Sequence, residues 1–351
     1  MAYQERLKAF SNLGEFFRAF TKSSKNDHLI TQNKRWHSEL EEAIVLAGHK
    51  NGWFTKENIH FALESWGHLL TAENLSNWLG PYDVEKNRHK AVALIMAGNI
   101  PLVGFHDFIS VLLTGNRAVV KLASNDAVLL PFISSYLIHH EPSLEGEIVF
   151  SEGKLEHFDA VIATGSDNTA RYFEYYFGHK PHIIRKNRNS VAVLTGNESK
   201  EELRGLGEDI FRYYGLGCRS VSKVFVPSSY RFDTFFEAIF DYNPILNHAK
   251  YANNYDYNKA VYLMSEFKLL ENGFLMLKED SKYGSPIATL FYEEYQSLDH
   301  LKKRIEADKK KIQCVVSNGL FDDEVAFGLT QKPRLHDYAD SIDTVEFLLK
   351  T

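Results

Sequence analysis

The stretch Ala91-Val92-Ala93-Leu94-Ile95-Met96-Ala97 is an uninterrupted apolar run, and it and the runs like it decide the fold. A strand that is buried on both faces of a parallel sheet has this composition. Similar short runs recur at 117–122, 147–150, 159–163 and 190–194, with helical patterns between them at 104–113, 127–138 and 167–177. Strands that alternate with helices of this length are typical of βαβ units. The sequence therefore predicts an α/β protein with a doubly wound parallel sheet.

A helical segment precedes this sheet and a second α/β unit follows it. Apolar residues from Phe10 to Phe20 recur at helical spacing, so residues 1 to about 85 are predicted to be mainly helical. In the second unit, helices are predicted at 200–214, 232–240, 259–271 and 297–307, and strands at 223–227, 274–277, 287–291 and 312–316. A chain of 351 residues is long enough for two domains.

We predict three parts. Residues 1–198 form the helical segment and the first domain, 199–325 form the second α/β domain, and 326–351 form a C-terminal tail. The tail is expected to return to the first domain or to reach a partner subunit.

Composition excludes several classes of function. The net charge is −6 and the basic residues are dispersed, which argues against nucleic-acid binding. Two cysteines without a Cys-x-x-Cys pair, and histidines without ligand spacing, indicate neither a disulfide framework nor a metal site. The charged amino terminus and the absence of any apolar run of about 18 residues predict no signal peptide and no membrane span. We expect a cytoplasmic protein.

The stretch Tyr213-Tyr214-Gly215-Leu216-Gly217-Cys218-Arg219-Ser220 places a cysteine in a turn between two glycines and a cation. A neighbouring guanidinium and backbone N–H groups favour the thiolate, so Cys218 is a candidate covalent nucleophile. The alternative is that Gly215 ends a helix and Cys218 is a small buried residue that enters a strand. Cys314 lies within the apolar run 312–316 and is predicted to be structural.

Three further motifs precede Cys218: Gly98-Asn99-Ile100-Pro101, Gly115-Asn116 followed by Lys121, and Thr164-Gly165-Ser166. In this order and spacing they resemble the aldehyde dehydrogenase superfamily, over roughly residues 90 to 230. Within the superfamily the chain is most similar to the fatty acyl-CoA reductases of the bacterial bioluminescence type. The helical amino-terminal segment and the stretch Arg334-Leu335-His336-Asp337-Tyr338-Ala339-Asp340 favour that branch.

The resemblance implies an aldehyde dehydrogenase-like fold with a cofactor-binding domain and a catalytic domain, and it implies roles for single residues. The Asn99 side chain and the Cys218 N–H would stabilise an oxyanion. Lys121 would bind the adenine-side ribose of NADP(H) or NAD(H), and Pro101, Gly165 and Ser166 would complete the cofactor site. By the same resemblance, residues 340–349 would supply an intersubunit strand. The alternatives are purely structural roles: a turn residue for Asn99, a solvated lysine for Lys121 and a helix cap for Ser166.

Gly165-Ser166 opens a predicted helix, whose amino-terminal N–H groups suit a pyrophosphate. No Gly-x-Gly-x-x-Gly follows any of the predicted strands, so a nucleotide would have to be held in another way.

The sequence departs from the superfamily pattern at two motifs, and these differences bear on which reaction is expected. Where hydrolytic members carry a Glu that activates water, this chain has Arg185, and a guanidinium is no base. Arg185, Lys186 and Arg188 either meet a phosphate of CoA or NADP or form a solvated surface run. The nicotinamide-ribose motif Glu-x-Phe-Gly-Pro has only a blurred counterpart at 279–286.

The sequence predicts an NADPH- or NADH-dependent acyl-CoA reductase that forms an aldehyde through a Cys218 acyl-enzyme, with coenzyme A as part of the substrate. Two alternatives stay open: a CoA-acylating aldehyde dehydrogenase for short chains, and an acyl-accepting protein that lacks hydride transfer. A homo-oligomer or an acyl-transfer partner protein is compatible with the same sequence.

Overall fold

The computed structural model describes residues 2–22 and 34–351, and the chain divides into two compact units. The first unit contains the described residues up to Lys186 together with Arg334–Thr351, and the second is Asn187–Pro333. The boundaries between the units therefore lie at 186/187 and 333/334, and not at the predicted positions 198/199 and 325/326. Within the described ranges, no helix has the length and apolar character needed to cross a membrane.

Among the described residues, the first unit begins with the helices α1 (Tyr3–Lys22), α2 (Lys34–Lys50), α3 (Lys56–Leu69) and α4 (Ala72–Leu79). The apolar residues predicted at helical spacing from Phe10 to Phe20 lie on the buried face of α1, and α1 packs against α3 and α4. Thr55 caps α3, because its side-chain oxygen accepts from the Asn58 N–H at 3.3 Å. The described part of this segment is mainly helical, as predicted; residues 1 and 23–33 lie outside the described part.

A five-stranded parallel sheet forms the centre of the first unit, with strand order β3-β2-β1-β4-β5. Its strands are β1 (Ala91–Ile95), β2 (Arg117–Lys121), β3 (Ile148–Phe150), β4 (Ala160–Thr164) and β5 (His182–Arg185). The intervening helices are α5 (Phe105–Leu113), α6 (Leu129–His140) and α7 (Asp167–Phe177). The predicted doubly wound arrangement is confirmed. Only β5 had no counterpart in the prediction, since it is short and has polar residues at both ends.

A second, mixed sheet forms the other unit, with strand order β11-β6-β7-β10-β9-β8. Its strands are β6 (Asn189–Val193), β7 (Val221–Pro227), β8 (Leu269–Glu271), β9 (Met276–Glu279), β10 (Thr289–Tyr295) and β11 (Ile312–Val316). Its helices are α8 (Lys200–Phe211), α9 (Asp233–Ala238), α10 (Ala249–Met264) and α11 (Leu298–Ala307). Only β8 runs antiparallel to its neighbour.

Two predictions for this part of the chain were wrong. The run at 190–194 was assigned to the first domain, but as β6 it pairs in parallel with β7 and β11 and so belongs to the second sheet. The helix predicted at 259–271 starts earlier and ends at Met264, and residues 269–271 form β8. Asn272 ends that strand, because its side chain accepts from the Phe274 and Leu275 N–H groups.

The C-terminal tail returns to the first unit and ends in α12 (Thr344–Lys350). Return to the first domain was one of the two expected courses of the tail, and Thr344–Lys350 form a helix where the resemblance implied a strand. Val345 and Leu348 are buried, and the helix packs against α5. Asp343 caps it by accepting from the Glu346 N–H at 2.8 Å.

A buried ion pair lies beside this helix. The Arg185 guanidinium donates to both carboxylate oxygens of Asp107 and, at 3.1 Å, to the hydroxyl of Thr344. The side chains are only 6% and 12% exposed for Arg185 and Asp107. Neither alternative for Arg185, a phosphate ligand or a surface cation, describes it. Lys186 pairs instead with Glu174 at 2.9 Å, with both side chains half exposed.

Arg185→Met should destabilise the protein by about 3 to 5 kcal/mol, because it leaves the Asp107 carboxylate buried without its charged partner. Urea denaturation measures the loss. Arg185→Met combined with Asp107→Leu should recover part of it, and Lys350→Met, which removes an exposed pair with Glu346, should cost less than about 0.5 kcal/mol. Equal losses for the buried and exposed variants would contradict the assignment.

Candidate active site

Three of the predicted motifs follow strands that are neighbours in the first sheet. Ile95 at the end of β1 pairs in register with Lys121 at the end of β2 and with Ala163 near the end of β4. The Gly98–Pro101 turn, Lys121 and Gly165-Ser166 are therefore placed at the carboxyl edge of one parallel sheet. The strand order reverses between β1 and β4, and such switch points are where doubly wound sheets bind ligands.

The turn after β1 is held by two side-chain amides. The Nδ2 atoms of Asn51 and Asn125 each donate to the Gly98 carbonyl at 3.1 Å. A Cβ on Gly98 would lie 2.6 Å from Asn125 Oδ1 and 2.8 Å from the Ala123 Cβ, so only glycine fits there. Asn99 is exposed, whereas Pro101 is buried.

Lys121 and Ser166 both have local partners. Lys121 Nζ donates to the Gly153 carbonyl at 2.9 Å, and the Ser166 side chain accepts from the Thr169 N–H at 3.2 Å, which caps α7. The Gly165 N–H donates to the Arg185 carbonyl in the adjacent strand. The capping alternative for Ser166 is therefore correct, and it leaves the other N–H groups of the first turn of α7 directed away from the helix.

Asp126 is a titratable group beside the same turn that the sequence motifs did not indicate. Its Cβ lies 3.0 Å from the position that a Cβ on Gly98 would take. Burial raises the pKa of Asp126 from 3.8 to about 7. The carboxyl group is therefore close to half protonated at neutral pH.

The raised pKa predicts how stability depends on pH. The unfolded chain loses the Asp126 proton at lower pH than the folded chain, so the free energy of unfolding should fall as pH rises from about 4 to 7. Asp126→Asn should make this slope shallower, since only the contribution of Asp209 to it is kept, and the variant should be more stable than the wild type at pH 8 by about 1 to 3 kcal/mol. Denaturant titrations across this range test it. The exposed Glu145→Gln serves as a control, and a wild-type slope retained in Asp126→Asn would refute the prediction.

In the second unit, Cys218 follows a left-handed turn. The chain leaves α8 through a 3-10 segment, Arg212–Gly215, in which Tyr213, Tyr214 and Gly215 have φ values of 55°, 58° and 74°. Residues other than glycine adopt such angles at a cost, and these conformations cluster at functional sites. Tyr213 is buried, and the Tyr214 ring lies 4.3 Å from the His248 ring.

Cys218 itself is exposed, so the alternative of a small core residue is wrong for it. Cys314, in contrast, is buried in β11, as expected of a structural residue. Ser190 Oγ donates to the Cys218 carbonyl at 3.0 Å, and the Ser220 N–H donates to the Gly217 carbonyl at 2.9 Å. The backbone on both sides of the thiol is thereby fixed.

Asp280, a charged residue of the blurred motif at 279–286, has structural partners. Asp280 accepts from Lys278 Nζ at 2.6 Å, and its carbonyl accepts from the buried Lys223 at 3.0 Å. Lys223 also pairs with Glu293 at 2.6 Å. Glu279 is exposed at the end of β9. Among the described residues, no group of three or more His, Cys, Asp or Glu side chains is arranged to hold a metal ion.

Comparison with solved structures defines the class of fold. The chain superposes over its full length on 84% of aldehyde dehydrogenase 21 from Physcomitrella patens, a complex with the reaction product succinate, with a TM-score of 0.67 and 13% identity. It also superposes over 90% of its length on 72% of an aldehyde dehydrogenase from Bacillus cereus in complex with NAD+, with a TM-score of 0.59 and 16% identity. The fold is that of the aldehyde dehydrogenases.

Sequence comparison gives the family. The family model described as acyl-CoA reductase (LuxC) matches residues 24–238, more than half of the chain, and the protein belongs to that family. A long-chain acyl-protein thioester reductase of Aliivibrio fischeri is 26% identical over 169 residues. That match covers 43% of this chain and about a third (35%) of the relative.

Proposed function

We propose that this protein reduces an acyl thioester, with acyl-CoA as the donor, to an aldehyde through an acyl group carried on Cys218. The observation that carries the proposal is the exposed Cys218 in a hydrogen-bonded turn, directly after the left-handed segment Arg212–Gly215, in a chain from the acyl-CoA reductase family. The name of the Aliivibrio fischeri relative also refers to reduction of a thioester. From that name we carry over to this protein only the reduction of a thioester, and not the length of the acyl chain.

The first half-reaction is thioester exchange at sulfur. The Cys218 thiolate attacks the acyl carbonyl carbon, and the Cys218 N–H is a candidate donor to the developing oxyanion. The C–S bond to coenzyme A then breaks, and coenzyme A leaves as a thiolate that takes up a proton. The role predicted for Asn99, a second donor to the same oxygen, stays a prediction.

The second half-reaction needs a hydride, and the carboxyl edge of the first sheet suits the cofactor that would supply it. Lys121 offers a cation at a strand end, and α7 offers the N–H groups of its first turn. A nicotinamide cofactor bound there would provide the hydride that reduces the Cys218 thioester. Release of the Cys218 sulfur from the resulting thiohemiacetal, with return of a proton to the medium or to the thiol, gives the aldehyde. We propose NADPH, with NADH as the alternative.

Thioester exchange is favoured over hydrolysis by the environment of Arg185. In hydrolytic relatives the resemblance places a Glu base at this position, but here the side chain is a buried guanidinium committed to Asp107 and Thr344. It can neither deprotonate nor orient water. The expected products are an aldehyde and coenzyme A, without free acid.

Cys218→Ala should abolish covalent acylation, because it removes the nucleophile. Wild-type protein incubated with acyl-CoA and no cofactor should gain the mass of one acyl group, and with NADPH added it should consume cofactor and release aldehyde. Cys314→Ala is the matched control and should retain both activities. An acylated Cys218→Ala protein would remove the nucleophile from the proposal.

The same assay separates the alternatives. Acylation without NADPH consumption would support an acyl-accepting protein and would overturn the reductase. Reduction of NADP+ on addition of a short-chain aldehyde and coenzyme A, at a rate above that of the forward reaction, would support the CoA-acylating dehydrogenase.

Lys121→Ala should raise the KM for the nicotinamide cofactor about tenfold, the value of one charge-assisted hydrogen bond, with the acylation rate unchanged. Initial-rate kinetics and the mass assay measure the two effects. Lys180→Ala is the control, because Lys180 is also a first-unit lysine that donates to a backbone carbonyl, that of Phe158. An unchanged KM, or an equal rise in the control, would count against the cofactor role.

A further inference from the structure

The Gly217–Ser220 turn that carries Cys218 is held by a distant part of the second unit, residues 327–331. Arg219 Nε donates to the Thr330 carbonyl at 2.5 Å, and Gln331 Nε2 donates to the Ser220 hydroxyl at 3.2 Å. Thr330 and Ser220 are buried, and Gln331 is 8% exposed. Two contacts therefore connect the residues directly after Cys218 to the 327–331 segment.

The 327–331 segment is in turn fixed to α8 by one carboxylate. Asp209 is fully buried; its Oδ2 accepts from the Gly328 N–H at 2.7 Å and its Oδ1 accepts from the Thr330 N–H at 2.9 Å. Burial raises the pKa of Asp209 to about 6, although the two N–H groups oppose the rise. The carboxylate, which is the form that accepts both bonds, therefore predominates at neutral pH.

The backbone of the 327–331 segment also lies directly against the backbone of α8. A Cβ on Gly205, which lies on α8 one turn before Asp209, would come within 3.1 Å of the Gly328 nitrogen. Gly328 has a φ of 83° and would itself meet the Gly205 Cα at 3.2 Å if it carried a Cβ. Two glycines thus allow two backbones to touch, and Asp209 bonds to the segment at the same place.

We infer that Asp209 is a positioning residue for Cys218, which acts through the 327–331 segment to fix the backbone of the Gly217–Ser220 turn. The inference rests on the proposed role of Cys218 as the acylated nucleophile. Its physical reason is that a nucleophile must be held close to its attack geometry, since small displacements cost large factors in rate. Asp209 does not need to touch the substrate for this.

Asp209→Asn tests the inference, because an amide retains one acceptor oxygen and turns an NH₂ group towards the other N–H. The first-order rate of Cys218 acylation at saturating acyl-CoA should fall about tenfold or more, and the half-saturating concentration should change by less than about twofold. Hydrogen–deuterium exchange of the peptide that covers 215–221 should accelerate. Gln331→Met removes only the contact to Ser220. It should also lower the acylation rate and accelerate exchange at 215–221, and it provides the test if Asp209→Asn does not fold.

Glu324→Gln is the matched control. Glu324 also clamps a loop of the second unit, through the N–H groups of Gly319, Leu320 and Phe321, but that loop does not contain the residues that hold the Cys218 turn. It should leave exchange at 215–221 and the acylation rate unchanged. Wild-type acylation rates in both test variants, or an equal fall in the control, would overturn the inference.

The outcome can be distinguished from failure of the proposed function. If the wild-type protein is not acylated by acyl-CoA, the proposed function fails and the acylation comparison falls with it. The exchange comparison still decides whether Asp209 fixes the turn: unchanged exchange at 215–221 in Asp209→Asn and Gln331→Met would overturn the inference by itself.

Discussion

The Arg185 guanidinium in the first unit is buried against the Asp107 carboxylate and the Thr344 hydroxyl, so that β5, α5 and α12 meet at one ionic contact. Removing two charges from water is costly, and the cost is met only where the partners form several hydrogen bonds in good geometry. This contact holds Thr344, the first residue of α12, beside β5 and α5. Arg185 therefore has a packing role, whatever residue other aldehyde dehydrogenases carry at its position.

In the second unit, the cost of a left-handed backbone before Cys218 is offset by side-chain contacts. Two consecutive tyrosines with left-handed backbone cost on the order of 1 kcal/mol or more each. Burial of Tyr213 and the ring contact between Tyr214 and His248 offset this cost. The turn that follows is then fixed by Ser190, Arg219 and Gln331. The thiol is exposed, but the backbone that carries it is not free to move.

Local patterns predicted much of this structure. The apolar runs 91–97 and 312–316 and the helical pattern 167–177 became β1, β11 and α7, because burial on both faces and amphipathic periodicity are written into neighbouring residues. The motif order around Asn99, Lys121 and Cys218 led to the family. Roles for these residues remain proposals.

The features that the sequence did not predict depend on contacts between distant residues. Nothing near residues 189–193 indicates that β6 pairs with β7 and β11 and not with the first sheet. Asp209 and Asn51 look like ordinary polar residues until Thr330 and Gly98 are placed beside them. The tail at 340–349 has apolar residues that fit a strand or a helix. The Asp343 cap, the packing against α5 and the contact from Arg185 to Thr344 favour the helix.

The division of the chain also sets an order of assembly during synthesis. The second unit is one continuous stretch, Asn187–Pro333, inserted between the two parts of the first unit. A ribosome therefore completes every residue of the second unit before it makes Thr344, Val345 and Leu348. Until then Arg185 lacks the Thr344 hydroxyl that accepts its hydrogen bond in the folded protein. The first unit can therefore complete its fold only after α12 has been synthesised. All residues of the second unit, which carries Cys218, are present before then.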